Sequence, residues 1–321
     1  MRILVTGGSG FIGSHLCERL VTEGNMVTAI DNYSTGRASN LTNLMDSDSF
    51  TLIEGSILDT NILSPLIGDA DYVFHLAAAV GVFNIVNNPL ASLLTNIRGT
   101  ENVLEAAHLS KTPVFLTSSS EVYGKNISDS LKESDDRILG SPVTLRWSYS
   151  EAKAIDESLA YAYYVEKQLE TRIVRFFNTV GPRQLGAYGM VVPRFVKAAL
   201  ANEPITIYGD GKQTRCFAHV YDVIDAVITV AFADNTIGKV LNIGNNVEIS
   251  INGLAQKIIA ETGSKSEIVY VPYEEAYGDG FEDMERRLPN IDLINELVGW
   301  KPRRDLSTII TDISAEMRKS S

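Results

Sequence analysis

The stretch Arg2-Ile3-Leu4-Val5-Thr6-Gly7-Gly8-Ser9-Gly10-Phe11-Ile12-Gly13-Ser14-His15 decides the fold. Ile3–Val5 is a short apolar run of strand type, and an amphipathic helical pattern, His15–Glu23, follows the glycines. Gly7, Gly10 and Gly13 lie between them. Missing side chains there let the backbone approach a pyrophosphate, which sits on the unpaired N–H groups of a helix N-terminus. Asp31 closes the next apolar run, Met26–Ile30, 18 residues after Gly13. A carboxylate at that place binds both hydroxyls of an adenine ribose and repels a 2′-phosphate. Together these features predict a dinucleotide-binding unit that takes NAD in preference to NADP.

Working outward, Phe50–Ile53, Tyr72–Leu76, Val114–Thr117 and Thr171–Arg175 read as further buried strands. Helical stretches such as Asn96–Ser110 alternate with them, which requires a parallel sheet with helices on both faces. The expected fold is α/β, a Rossmann-type doubly wound sheet with a smaller, mixed C-terminal substrate domain. Beyond residue 178 the alternation weakens and turn residues accumulate: Gly181-Pro182, Gly186, Gly189, Pro193, Pro204, Gly209, Gly211. Val240–Ile243 then reads as a strand returning to the first domain. The expected division is 1–178 plus about 218–245 for the NAD-binding domain, and 179–217 plus about 246–321 for the substrate domain.

Composition fits a globular chain: 321 residues, 45% hydrophobic and 21% charged. Its 28 basic and 40 acidic side chains give a net charge of −12, which disfavours nucleic acid and anionic membranes as partners. Cys17 and Cys216 are too few for a disulfide framework. The most apolar stretch, Tyr72–Val86, contains His75 and Asn84 and is too short to span a bilayer. Met1 runs straight into a strand, with no targeting pattern. A soluble, cytoplasmic protein is expected. His75 has no second ligand at metal spacing, so no metal is expected.

Tyr149 and Lys153 stand four apart in Trp147-Ser148-Tyr149-Ser150-Glu151-Ala152-Lys153, opening a helical stretch that reaches Lys167. At that spacing both side chains share one face. An ammonium beside a phenol favours the phenolate, which makes Tyr149 a candidate base. Thr117-Ser118-Ser119-Ser120-Glu121 lies just past a strand end, where open parallel sheets bind ligands. A surface helix with a chance Tyr-x-x-x-Lys spacing is the plain alternative.

Gly7-x-x-Gly10-x-x-Gly13, with Ser before Tyr149 and with Lys153, resembles the extended short-chain dehydrogenase/reductase family across nearly the whole chain. Asp31-Asn32 with Ser34-Thr35-Gly36-Arg37, His75-Leu76-Ala77-Ala78, Asn178 and Gly181-Pro182-Arg183 are similar to its nucleotide-sugar epimerases, dehydratases and decarboxylases. The resemblance implies tightly held NAD and oxidation of C4 of a nucleotide-linked sugar. Tyr149 would remove the O4 proton, Lys153 would tune it and bind ribose, and Ser119 would hydrogen-bond the substrate oxygen. The implied NAD contacts are Gly7, Gly10, Phe11, Ile12, Gly13, Asp31, Asn32, Gly36, Ser56, Ile57, Leu76, Ala77, Ala78, Asn96, Thr117, Tyr149 and Lys153. Ser56 departs from the family, whose members often carry Asp there against adenine.

Tyr208-Gly209-Asp210-Gly211-Lys212-Gln213-Thr214-Arg215 resembles the nucleotide-clamping segment, with Arg215 on the pyrophosphate and Tyr208 against uracil. Gly189-Met190-Val191-Val192-Pro193-Arg194-Phe195 resembles the segment that closes over the base. Asn178, Val191, Arg194, Tyr208, Gln213 and Arg215 are therefore the implied substrate contacts. Asn96–Ala107 and Tyr149–Lys167 would form a homodimer through the four-helix bundle usual in the family.

Ser120-Glu121-Val122-Tyr123-Gly124 is similar to UDP-glucuronate decarboxylases; 4,6-dehydratases carry Asp where Ser120 stands. Gly280-Phe281-Glu282-Asp283-Met284-Glu285-Arg286-Arg287-Leu288-Pro289 resembles the same enzymes and implies Arg287 as the uronate carboxylate ligand. A 4-keto uronate is a β-keto acid, so carbon dioxide leaves into an enolate without a metal. Arg287, Ser120 and Tyr149 suit the orienting and oxyanion-stabilising tasks, and Glu121 would position a proton donor. His75–Val82 lacks the Pro and Tyr often found in decarboxylases, with Ile85 at the Tyr position. Arg287 also has Glu282, Asp283 and Glu285 as local partners. A UDP-sugar 4-epimerase is the alternative, followed by a 4,6-dehydratase and a non-catalytic NAD-binding protein.

Overall fold

The structure, a computed structural model, describes residues 1–81, 85, 87–186, 190–272, 275 and 286–319. The first half supplies strands β1 (Arg2–Thr6), β2 (Met26–Asp31), β3 (Phe50–Glu54), β4 (Tyr72–His75), β5 (Val114–Ser119) and β6 (Thr171–Phe176). Short strands β7 (Thr179–Val180), β8 (Ile205–Tyr208), β9 (Thr214–Cys216) and β10 (Ala218–His219) follow. The last strands are β11 (Val240–Ile243), β12 (Glu248–Ser250) and β13 (Ile268–Val271). A seven-stranded sheet runs β3-β2-β1-β4-β5-β6-β11, parallel throughout. The order reverses between β1 and β4, which opens a crevice at their C-terminal ends.

Helices α1 (Phe11–Thr22), α2 (Thr60–Gly68), α3 (Pro89–Ser110) and α4 (Ser148–Lys167) link the first six strands. Later come α5 (Val191–Ala201), α6 (Val220–Ala231), α7 (Ile251–Thr262), α8 (Asp292–Val298) and α9 (Leu306–Lys319). Period-two alternation sends Ile3 and Val5 to one face of the sheet and Leu4 to the other. The first face buries Leu16 and Leu20 of α1, Val223 and Val227 of α6, and Ile294 of α8. The second buries Leu63 and Ile67 of α2, Val103 and Leu104 of α3, and Ala160 of α4. At ~1.5–3 kcal/mol for each large apolar side chain removed from water, these two layers fix the sheet.

Two helices start earlier than their apolar patterns imply. Gly10 forms the N-cap of α1, and Pro89 opens α3 at a position where its missing N–H is harmless. A third core, with Val192, Phe195, Ile205, Leu254, Ile258 and Ile309, joins α5, α7 and α9 to the β8–β13 pair. Ile291, Ile294 and Trp300 return under the large sheet, where the Trp300 indole donates to the Asp222 carbonyl at 3.0 Å.

Candidate active site

The glycine turn is built around contacts that exclude side chains. Gly7 has φ +71°, and a Cβ there would stand 2.8 Å from the Ala77 nitrogen. A Cβ on Gly13 would run into the Gly7 carbonyl. The N-terminus of α1 carries no side-chain cap at Gly10, and Gly10, Phe11, Ile12 and Gly13 line the crevice. Asp31 ends β2 buried, accepting from the Ser9 N–H (2.9 Å) and the Tyr33 N–H (2.8 Å). Burial raises its pKa, and those two N–H groups act against the rise. Gly36 packs so closely on this carboxylate that a Cβ would come within 2.9 Å.

The opposite wall, Leu76–Ala78, hangs on a buried chain of polar groups. Thr6 Oγ1 meets His75 Nδ1 at 2.8 Å and accepts from the Ala77 N–H at 3.1 Å, while His75 Nε2 meets Thr100 Oγ1 at 3.1 Å. Burial, helped by the charge of Lys153, lowers His75 to about 3, so it packs as a neutral strand-end histidine. Asn96 clasps Ala79 at both its N–H (2.7 Å) and its carbonyl (3.2 Å).

Past the end of β5, a short 3₁₀ turn, Ser120–Tyr123, presents Ser120 and Glu121 to the first turn of α4. Ser119 hydrogen-bonds the Tyr149 hydroxyl. Burial raises the phenol well above the usual tyrosine range; Glu121 and Asp156 push it further, and the Ser119 bond opposes them. Lys153 is buried, donating to the Thr117 carbonyl at 3.0 Å and pairing with Asp156 at 3.2 Å. Burial first, then Glu121 and Asp156, hold the phenol high, and the Lys153 ammonium that the sequence sets beside it is itself paired with Asp156. The reason is local: Asp156 lies one turn beyond Lys153 and engages its charge.

Arg287 arrives from the far end of the chain. Its Nη2 pairs with Glu121 Oε1 at 2.5 Å, and its Nη1 lies 3.4 Å from Ser120 Oγ. Arg146 Nη1 holds the other carboxylate oxygen at 2.7 Å. Burial alone would raise the Glu121 carboxyl, but the two guanidinium groups hold it down at about 2. Glu121 is therefore ionised and serves to fix both arginines.

These walls enclose one cavity of about 550 Å³. Of the expected cofactor contacts, Gly7, Gly10, Phe11, Ile12, Gly13, Asp31, Asn32, Ile57, Leu76, Ala77, Ala78, Thr117, Tyr149 and Lys153 line it. Gly36, Ser56 and Asn96 stand outside the lining; the Ser56 hydroxyl accepts from the Leu58 N–H at 3.2 Å. Ser119, Ser120, Glu121 and Arg287 line the same cavity, as do Asn178, Val191, Arg194, Tyr208, Gln213 and Arg215. Tyr208 carries the Arg194 guanidinium 4.4 Å above its ring, a contact the sequence does not announce. Val82, Asn84, Val86, Gly189 and Gly280–Glu285 lie outside the described residues. The sequence assigns no role to Arg146, three residues before Tyr149 in a stretch that also resembles the decarboxylases, or to Asp156, three after Lys153. Arg183, quoted in the Gly181-Pro182-Arg183 motif without a role, is a cavity residue at φ +67° whose Nη2 grips both oxygens of Glu18 at 2.7 Å and ties the turn to α1.

An uncapped helix N-terminus in a glycine turn and a buried carboxylate on the same wall fit a dinucleotide. With the Ser–Tyr–Lys set beside them, they define a Rossmann-fold enzyme that works on a bound small molecule. The family model described as GDP-mannose 4,6 dehydratase matches residues 4–313, and the chain belongs to that family, among the extended short-chain dehydrogenase/reductase enzymes of nucleotide sugars. The UDP-N-acetyl-alpha-D-glucosaminuronate decarboxylase of Bacillus cytotoxicus is 42% identical over 302 residues, covering 94% of this chain and 92% of that protein. UDP-glucuronic acid decarboxylase 1 of Xenopus tropicalis is 36% identical over 303 residues, covering 94% of this chain and 68% of its own. The crystal structure of UDP-glucuronic acid 4-epimerase from Bacillus cereus, in complex with UDP-glucuronic acid and NAD, superposes with a TM-score of 0.90 at 29% identity over 100% of both chains. No helix among the described residues is long and apolar enough to cross a membrane.

Proposed function

We propose that this enzyme uses NAD to decarboxylate a UDP-linked glucuronate through a 4-keto intermediate. One observation carries the reading: a buried guanidinium, Arg287, is held beside Ser120 and Glu121 in the cavity that also contains Ser119, Tyr149 and Lys153. A guanidinium in that corner matches a carboxylate in charge and in planar geometry. The named relatives act on uronates, with and without an N-acetyl group.

Gly7–Gly13 would hold the pyrophosphate, Asp31 the adenine ribose, and Lys153 the nicotinamide-side ribose. NAD held there would supply a hydride acceptor for C4 and a hydride donor for the later reduction. Tyr149 accepts the O4 proton, and Ser119 fixes the oxygen that becomes the ketone. Arg287 swings part of its charge from Glu121 to the C6 carboxylate and orients the C5–C6 bond. When that bond breaks, its electron pair passes into the C4–C5 enolate, carbon dioxide leaves, and Tyr149 and Ser120 stabilise the oxyanion. An ionised Glu121 donates no proton itself at neutral pH, so it positions the donor that protonates C5. Asn178, Val191, Arg194, Tyr208, Gln213 and Arg215 would clamp the UDP, and the two domains would divide as 1–178 with about 218–245, and 179–217 with about 246–321, apart from the 291–300 segment that packs under the large sheet.

A 4-epimerase of the same uronate is the second reading, because Ile85 lines the cavity where decarboxylases often carry Tyr. Incubation with UDP-glucuronate and its 2-acetamido analogue, read by mass and NMR, separates the two. The decarboxylase gives a pentose product one carbon shorter, or its 4-keto form. An epimerised sugar with all six carbons would overturn the decarboxylase reading. We further place the chain in the cytosol, where its unpaired, buried thiols Cys17 and Cys216 stay reduced. A homodimer would form through α3 and α4, where Tyr161 and Val165 lie exposed one turn apart.

A further inference from the structure

Arg287 and Glu121 are separated by 166 residues, so their pairing depends on whatever holds the two segments in register. The structure shows one buried side chain joined to both. Asn242, in β11, has no exposed surface, and every polar atom of its amide is engaged. Its Oδ1 accepts from the Tyr123 hydroxyl at 2.7 Å, and Tyr123 closes the 3₁₀ turn that carries Ser120 and Glu121. Its Nδ2 donates to the Leu131 carbonyl at 2.9 Å and to the Asn290 carbonyl at 3.2 Å.

Leu131 is in turn the anchor of the Arg287 segment. The Leu131 N–H donates to the Leu288 carbonyl at 2.8 Å, and the Asn290 N–H donates back to the Leu131 carbonyl at 2.9 Å. These bonds lie on either side of Pro289, two residues after Arg287. The Asn242 backbone N–H also binds Glu133 Oε1 at 2.8 Å, which ties down the same 131–133 segment. One amide therefore connects the turn bearing Glu121, the loop bearing Arg287 and a strand of the rigid sheet. Only a side chain with an acceptor and two donors at this length satisfies all three partners.

We propose that Asn242 is a positioning residue for the Glu121–Arg287 pair, setting the distance between the guanidinium and the substrate carboxylate without touching either. The inference rests on the reading of Arg287 as the carboxylate ligand. Binding of UDP-glucuronate and of UDP, which lacks the sugar acid, distinguishes positioning from general support of the fold. Asn242→Ala should weaken UDP-glucuronate about tenfold, and Tyr123→Phe, which removes the hydroxyl that Asn242 accepts from and keeps the ring, should weaken it a few-fold. UDP affinity and bound NAD should stay at wild-type levels in both. In an Arg287→Ala background the Asn242→Ala change should add almost nothing, because the group it positions is gone. Equal weakening of UDP and UDP-glucuronate, or full additivity with Arg287→Ala, would overturn the assignment. If Asn242→Ala does not fold, Tyr123→Phe alone decides by the same two measurements. A wild type that releases no carbon dioxide would bring down the decarboxylase reading alone; an Arg287→Ala variant that binds UDP-glucuronate as tightly as the wild type would bring down the carboxylate-ligand reading, and this inference with it.

Discussion

The two ends of the cavity are built by opposite means. At the dinucleotide end, Gly7, Gly10, Gly13 and Asp31 come from the first 31 residues, in the turn between β1 and α1, the start of α1 and the end of β2. The constraint there is space: the turn closes only where side chains are missing. At the sugar end, Ser119–Glu121, Arg146, Tyr149, Lys153 and Arg287 converge from three separated segments. The constraint there is charge, carried by side chains that pair in burial. The first end fails when an atom is added, the second when a charge is removed.

The largest expected effect tests the sugar end. Tyr149→Phe keeps the ring and its packing but removes the proton acceptor. C4 oxidation, followed as reduced cofactor formed in a single turnover, should fall ~10²–10⁴-fold while the protein still carries NAD. Wild-type turnover in this variant would rule out the Tyr149 mechanism. Arg287→Ala comes next. Loss of one charge-assisted bond of ~1.5–3 kcal/mol should lower kcat/KM for UDP-glucuronate roughly 10–150-fold. Lys at that position should restore only part of the loss, since it cannot grip both carboxylate oxygens in one plane. Full rescue by Lys would show that charge alone matters there.

At the other end the effect should appear as stability and cofactor retention. Gly13→Ala places a methyl group against the Gly7 carbonyl, so the turn must shift. Overpacking of this kind costs about 1–3 kcal/mol, and the purified protein should melt lower and lose NAD on gel filtration. If the variant keeps both its melting temperature and its NAD, the space argument for this end is wrong.

The contrast also explains what the sequence discloses. The seven parallel strands were legible because each is a local apolar run, and the glycine turn because its function is local to a few backbone atoms. The pairing of Arg287 with Glu121 was not: Glu282, Asp283 and Glu285 lie outside the described residues, and the fold delivers Glu121 from 166 residues away. Arg146 escaped for the same reason, since its role exists only once Glu121 is beside it. Asp156 was visible at helical spacing from Lys153, but only burial shows that it takes the ammonium as a partner.

That ion pair supports the finest prediction, one of sign. Tyr149 must lose its proton to accept another from O4, so oxidation should rise with pH as the phenol ionises. Burial holds the phenol high, and the negative charges of Glu121 and Asp156 hold it higher. Asp156→Asn removes one of those charges at nearly constant shape and leaves the Lys153 ammonium less neutralised. Both changes favour the phenolate, so the rising limb of the pH–rate profile should move to lower pH. A purely structural role for Asp156 would lower the rate at every pH and leave the limb in place. A limb moved to higher pH would show that Asp156 acts mainly by holding Lys153 in position, and that the ammonium, once released, no longer supports the phenolate.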